Sequence, residues 1–179
     1  MELLVFSKSV NYLFARVASV RRQLNLSVAD AFIMRGMHGC LLETYKIIFS
    51  DDMIEHIEHY AKEIVPQILD KIADKELRDL PSMATHRAQK HFKVETDISF
   101  TLMEENGTTR LHIETADRPG LLYEIARTFI QCNIRIHSAK ISTAGETAID
   151  SFDITQADTR KPLSDDMQKQ LRQALLEQL

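Results

Sequence analysis

The chain has 179 residues, 44% of them hydrophobic and 27% charged, with a net charge of −4. This composition is typical of a soluble globular protein, and the small negative charge excludes a surface built mainly for nucleic acid or anionic lipid. No apolar run approaches the roughly 20 residues of a membrane-spanning helix, and MELLVFSKS is too short and too polar for a secretory signal. The two cysteines, Cys40 and Cys132, form no CxxC motif, so we expect free thiols in a cytoplasmic protein.

Two segments of the sequence resemble each other. The segment from Leu3, LLVFSKSVNYLFARVASVRRQLNLSVADAFI, aligns without a gap with the segment from Leu111, LHIETADRPGLLYEIARTFIQCNIRIHSAKI. Farther along, ETYKI matches DSFDI, and the SDDM at 50–53 recurs at 164–167. Internal similarity of this kind indicates a duplicated unit. We call the two segments the first and the second copy.

Each copy predicts a strand, a helix, two strands and a second helix. In the strand after the first helix, the apolar alternation shifts phase in both copies, which predicts a β-bulge near Asp30 and near Ser138. The second helices begin at the SDDM runs, where Ser or Asp can cap them, and Pro66 predicts a kink or a break in the first of these. The first helices carry apolar residues at helical spacing on one stripe: Leu13, Phe14, Val17, Ala18 and Leu24, matched by Leu121, Leu122, Ile125, Ala126 and Phe129.

Residues 81–92 show no apolar period and predict a linker between a first domain, 1–80, and a second domain, 93–179. After the linker, a strand near 94–103 alternates in polarity, and Asn106-Gly107 predicts a tight turn into the next strand. We assign 94–103 to the second copy as a permuted edge strand paired with 109–115; alternatively it completes the first copy by pairing with residues 3–7. The predicted class is α+β, with two ferredoxin-like βαββαβ sandwiches in tandem, each an antiparallel sheet with helices on one face.

The sequence contains no motif for a nucleophile with its base, for a phosphate-binding glycine loop or for a metal cluster. His56 and His59 lie three residues apart on a predicted helix, but no third ligand accompanies them. The acidic pairs at 51–52 and 165–166 are interpreted as helix caps, and the third strands lack the paired aromatic residues of RNA-recognition domains. We therefore expect no catalytic residue, no metal and no nucleic-acid site.

The turn ADRPGLL in the second copy is the strongest candidate for a site. Pro119 suits the first position of a helix, where its missing N–H is not needed. A glycine inside the first turn costs about 1 kcal/mol relative to alanine, so Gly120 needs an explanation. An anion such as an α-carboxylate, approaching the positive end of the helix, is one explanation. Close packing of a neighbouring backbone is the other, and the residues alone leave both open.

The run ADRPGLLYEIARTFIQCNIRIHSAKISTAGETAIDSFDI resembles the ACT domain, a small amino-acid-sensing βαββαβ unit. The chain is also similar to the tandem ACT domains of the bacterial PII uridylyltransferase family. The similar segments are LFARVA, LSVADAFI and LETYKI in the first copy, HFKVETDISF between the copies, and IHSAKISTAGE with DSF in the second copy. That family both attaches UMP to the nitrogen regulatory protein PII and removes it. The resemblance implies a regulatory region that senses an amino acid, with glutamine as the expected ligand. The alternative is an ACT scaffold or dimerisation module that binds no small molecule.

The resemblance places the catalytic domains, with their Mg, upstream of the ACT region, and their motifs do not occur in this sequence. We therefore expect no cofactor in this chain. The resemblance also implies that the chain is a fragment from the regulatory end of such an enzyme. The implied partners are PII, reached through the parent enzyme, and a second copy of the chain in a homodimer formed through ACT domains.

In ACT domains the ligand tends to bind where the loop after the first strand meets the second strand of a neighbouring domain. The first copy has KSVNYLF in place of ADRPGLL, and Tyr12 at the position of Gly120 argues against a second equivalent site. Carried over onto the second copy, the resemblance implies these ligand-binding residues: Asp117, Arg118, Gly120, Leu121, Leu122 and Asn133.

Overall fold

The structure, a computed structural model, describes residues 2–8, 13–23, 27–36, 40–48, 62, 65–66, 69–70 and 95–179. Its elements, in chain order, are β1 (Glu2–Lys8), α1 (Leu13–Gln23), β2 (Ser27–Arg35), β3 (Cys40–Ile48), β4 (Asp97–Met103), β5 (Thr108–Ala116), α2 (Leu121–Gln131), β6 (Ile134–Ala144), β7 (Thr147–Gln156) and α3 (Asp165–Leu176). Residues 62, 65–66 and 69–70 are also helical. Residues 63–64 and 67–68 on either side of Pro66 lie outside the described residues, so the kink or break that we predict there stays a prediction. His56, His59 and the SDDM run at 50–53 also lie outside the described residues.

The seven strands form one antiparallel sheet in the order β1-β3-β2-β6-β7-β5-β4. The fold is α+β, as predicted, but the two sheets that we expected are joined. β2 pairs with β6 from Asp30 opposite Ser142 to Met34 opposite Ser138. Each of these strands would otherwise leave a row of unpaired backbone N–H and C=O groups at a sheet edge, and their mutual pairing satisfies both rows.

The pairing of β2 with β6 has an approximate two-fold symmetry. Phe32 and Lys140 occupy the same place in the sequence alignment of the two copies, and they lie opposite each other in the sheet. An approximate two-fold axis therefore passes through this pair, perpendicular to the sheet. The axis produces two symmetry-related junctions between the copies, one at each end of the paired strands.

The predicted bulges and caps are present where the structure describes them. The strand register shifts between Val28 and Asp30 in β2 and between Ile136 and Ser138 in β6. Ser164 caps α3, because its Oγ accepts a hydrogen bond from the backbone N–H of Met167. The predictions of both β-bulges and of the cap at the start of α3 are confirmed.

β4 lies at one edge of the sheet, where it pairs with β5 from Asp97 opposite Glu114 to Met103 opposite Thr108. This is the pairing we expect for the second copy, and it places β4 where a ferredoxin-like unit has its fourth strand. The hairpin turn contains Gly107 at φ 61°, a left-handed conformation that glycine adopts without strain. The domain limits at 80, 81–92 and 93 stay predictions.

The described residues share one hydrophobic core, which lies between the sheet and the helices. α1 and α2 pack against each other. Phe14, from α1, contacts Phe152 of β7 edge-to-face at 6.0 Å between ring centroids, and Phe129 of α2 contacts the same ring at 5.1 Å. Side chains of both copies thus meet in one core.

The face of the sheet that points away from the helices differs between the copies. In the second copy this face is polar: Arg110 forms two hydrogen bonds to Asp153, at 2.8 and 3.0 Å, and Ser138 donates a third to the same carboxylate. In the first copy it carries exposed apolar side chains, namely Leu4, Phe6, Phe32, Met34 and Ile48.

Candidate functional site

The ADRPGLL turn leads from β5 into α2, and its conformation corrects our interpretation of Pro119 and Gly120. The helix begins at Leu121, so Pro119 lies before it rather than at its first position. Gly120 is the N-cap residue at φ 87° and ψ −2°. An L-residue with a Cβ is strained at such a φ, and proline cannot adopt it. The backbone conformation therefore accounts for this glycine without a ligand.

The residues of the turn fall into two groups. Leu121 and Leu122 are buried members of the shared core, with 1% and 4% of their surface exposed. Asp117 and Arg118 are partly exposed. The backbone N–H of Asp117 donates to Glu146 O at 2.8 Å, and a guanidinium N–H of Arg118 donates to Gln178 O at 2.5 Å. The turn is thus held from both sides, by the β6–β7 hairpin and by the end of the chain after α3.

Asn133 lies at the opposite end of α2 from this turn. The 11 residues of α2 span about 16 Å, so Asn133 and Gly120 cannot contact one small ligand together. Asn133 has φ 56°, and its side-chain amide donates to Asp158 at 2.6 Å. Its carbonyl oxygen also accepts a hydrogen bond from Ala157 N at 2.8 Å. The structure therefore brings together Asp117, Arg118 and Gly120 but not Asn133.

The strand register shows which part of the first copy lies near the turn. Ala116, the last residue of β5, pairs with Thr147, and Thr147 pairs with Ala144 at the end of β6. Two residues earlier in β6, Ser142 pairs with Asp30, close to the start of β2. The turn of the second copy and the start of β2 in the first copy are therefore at the same end of the sheet. Tyr12 and the matching turn of the first copy lie outside the described residues.

A buried carboxylate occupies the same place in the third strand of each copy. Glu43 is 0% exposed and Asp150 is 1% exposed, and the alignment of ETYKI with DSFDI matches them. Burial raises the pKa of Glu43 to about 7, against the opposing effects of a hydrogen bond from Tyr45 and of the nearby Arg35. The Tyr45 hydroxyl donates to one carboxylate oxygen of Glu43 at 2.6 Å. Sequence analysis missed this feature, although acidic residues among the inward positions of both strands signal it.

The described part of the chain holds no group of three or more His, Cys, Asp or Glu side chains suited to a metal ion. Among its helices, none combines the length and apolarity needed to cross a membrane. Cys40 and Cys132 are free thiols, as expected, and burial raises the pKa of Cys132.

The fold is α+β with one antiparallel sheet, and the comparison with known families identifies the class. Residues 87–179 match the family described as ACR9-like, ACT-like domain. This match covers more than half of the chain. The chain belongs to the ACT-like domain family.

The relatives of the chain are more specific. It is 32% identical over 176 residues to the bifunctional uridylyltransferase/uridylyl-removing enzyme of Aliivibrio fischeri strain MJ11, a match that covers 98% of this chain and 20% of that enzyme. The enzyme of the same name from Vibrio cholerae is 30% identical over 177 residues, and that from Psychrobacter arcticus is 30% identical over 179, again over 20% of each enzyme. The similarity lies in the C-terminal region of these enzymes. The chain thus spans about one fifth of the relatives it matches. No solved structure matches it.

Proposed function

We propose that this chain is an amino-acid-sensing regulatory region, that its ligand is glutamine, and that it controls uridylylation and deuridylylation of PII. Membership of the ACT-like family and similarity to uridylyltransferase/uridylyl-removing enzymes support the regulatory role. Glutamine and PII come from the resemblance of the sequence to the PII uridylyltransferase family. Each copy would act as one ACT unit.

One structural observation carries the proposal, namely the pairing of β2 with β6. Because of it, the turn at 117–120 and the start of β2 in the other copy lie at one end of one sheet. In ACT domains this is the kind of junction at which an amino acid binds. Asp117 would attract the α-ammonium group, and the N-terminal end of α2 would attract the α-carboxylate. Asn133 takes no part in this arrangement, because it lies at the far end of α2.

The mechanism would be a shift between two arrangements of the copies. A ligand that contacts both copies binds better to the arrangement in which the contacting groups are close together, and it raises the population of that arrangement. The size of the shift is limited by the difference in affinity between the two arrangements. A rearrangement at this junction would be transmitted to the rest of the parent enzyme through the sheet.

Isothermal titration calorimetry of the chain with glutamine, glutamate and asparagine tests the proposal. We expect binding selective for glutamine, and a loss of roughly tenfold or more in affinity for Asp117→Asn, because a charged partner of the ligand is removed. Asp166→Asn, at a side chain that is 89% exposed on α3, is the matched control and should bind as the wild type does. A folded chain that binds none of the three amino acids would instead support the scaffold function.

A further inference from the structure

Three arginines and a histidine lie together at the junction opposite the ADRPGLL turn. Arg35 ends β2, and its Nε donates a hydrogen bond to Ile136 O of β6 at 3.3 Å. Arg135 and His137 lie two residues apart in β6, and His137 Nε2 lies 2.8 Å from Thr155 Oγ1. Arg160 follows β7 in a turn closed by its backbone N–H, which donates to Gln156 O at 3.0 Å. We call Arg35, Arg135, His137 and Arg160 the basic cluster.

The members of the basic cluster act on one another electrostatically. Burial, followed by the charges of Arg135, Arg35 and Arg160, lowers the pKa of His137. Burial and the charge of Arg135 lower the pKa of Arg35. The Nε of Arg135 is buried and has no hydrogen-bond partner in the part of the chain that the structure describes.

The carboxylates near the basic cluster have other partners. Glu43 acts on Arg35 but accepts a hydrogen bond from Tyr45, and its pKa of about 7 leaves it partly neutral at neutral pH. Asp153 acts on His137 but is held by Arg110 and Ser138. Among these named groups of the described residues, the three arginines outnumber the two shared carboxylates.

The fold itself does not require these charges. The approximate two-fold axis relates the basic cluster to the other junction between the copies, where the alignment matches Arg135 with Ser27, His137 with Ala29, and Arg35 with Thr143. Both copies have a β-bulge at the matching place in antiparallel strands, so neither the bulge nor the pairing explains why the arginines occur at only one junction. Gathering like charges costs stability, so an anion that offsets this cost explains their position better than the packing does.

The geometry points to a binding site for the phosphate group of a small phosphorylated metabolite at the basic cluster. A phosphate dianion presents three oxygens and can accept hydrogen bonds from several guanidinium groups at once, whereas a carboxylate offers two oxygens in one plane. The whole chain has a net charge of −4 and a pI of about 6.0, so its overall charge does not favour binding of an extended nucleic acid. The site is separate from the proposed amino-acid site, and either can exist without the other.

Calorimetry of the full chain with inorganic phosphate and pyrophosphate tests this site. We expect pyrophosphate to bind more tightly than phosphate, and Arg135→Gln and Arg160→Gly each to weaken binding roughly tenfold or more through loss of a charge-assisted hydrogen bond. Arg160 has φ 55°, so glycine at this position relieves backbone strain and the variant should fold at least as well as the wild type. Lys169→Ala, which removes an exposed charge on α3, is the control and should bind normally.

Titration of the His137 ring by NMR gives an independent measurement. An anion beside the ring favours the charged imidazolium, so pyrophosphate should raise the pKa of His137 in the wild type and much less in Arg135→Gln. Failure of pyrophosphate to bind at low salt, equal binding by the two arginine variants and the wild type, or tighter binding of citrate than of pyrophosphate would each overturn the assignment.

Discussion

The φ angle at position 120 explains why this position holds a glycine. At φ 87° a side chain with a Cβ is strained. We predict that Gly120→Ala lowers the free energy of unfolding by about 1–2 kcal/mol, that valine costs more, and that asparagine, which tolerates positive φ, costs less. Urea denaturation of the three variants measures this order. Gly36→Ala is the control, because a Cβ there would meet Cys40 O at an ordinary 4.0 Å and no positive φ is involved. A valine variant as stable as the wild type would contradict the prediction.

The sequence located this turn correctly but not its conformation. A Pro-Gly pair before an apolar helix stripe indicates a strand-to-helix turn, yet it fits both a helix that starts at Pro119 and one that starts at Leu121. The choice depends on contacts from residues distant in sequence, such as Glu146 and Gln178, which hold the turn. A valine at position 120 therefore cannot separate ligand binding from folding, and Asp117→Asn is the better probe of the proposed site.

Glu43 makes stability depend on pH. Its pKa is about 7 in the folded chain and near 4.5 when exposed, so stability is highest when the group is protonated in both states. As pH rises above 4.5, the unfolded chain ionises first, and stability falls until the folded carboxyl has also ionised near pH 7. The full loss is about 3 kcal/mol. We predict that Glu43→Gln is more stable than the wild type at pH 8 and similar to it at pH 4.5.

Denaturation of Glu43→Gln and wild type at several pH values between 4.5 and 8 tests this dependence. Glu104→Gln, in the exposed β4–β5 turn, is the control and should follow the wild-type curve. Parallel curves for Glu43→Gln and the wild type would show that Glu43 is not the titrating group.

At the scale of elements, β4 depends on α3 for its position at the sheet edge. Arg172 of α3 places its guanidinium 5.4 Å from the ring centroid of Phe100 and donates a hydrogen bond to Ile98 O. We predict that Arg172→Ala speeds amide hydrogen exchange in β4 by several-fold, since a cation–π contact is worth about 0.5–1 kcal/mol at exposed sites. The other edge strand, β1, has no contact with Arg172 in the described residues and is the internal control. Equal acceleration in both edge strands would mean that the effect is global.

The elements themselves were largely predictable. The phase shift in the apolar alternation located both bulges, because a residue inserted on one strand moves every later side chain to the other face. Asn106-Gly107 located the hairpin, and Ser164 located the start of α3. The basic cluster was not predictable, since Arg35 and Arg135 are 100 residues apart in sequence and meet only through the strand pairing.

At the scale of the whole molecule, the sequence did not predict that β2 and β6 pair and join the two copies in one sheet. Strands pair edge to edge through backbone N–H and C=O groups, which every residue except proline carries, so β2 and β6 show no pattern that specifies each other. The sequence therefore predicts a sheet for each copy but not the pairing that joins the two sheets. The approximate two-fold relation of Phe32 to Lys140 becomes visible only when the strand register is known.

A shared sheet and a shared core imply that the two copies unfold together. Phe152 is 0% exposed and contacts Phe14 of the first copy as well as Phe129 of the second. We predict that Phe152→Ala lowers stability by about 3–5 kcal/mol, and that the loss appears equally in the slowest-exchanging amides of β2 and β3 and in those of β5 and β7. Native-state hydrogen exchange of the variant and the wild type measures both regions in one experiment. If the amides of β2 and β3 kept their wild-type protection, the first copy would be an independent folding unit, and the β2–β6 pairing would be too weak to transmit a signal between the copies.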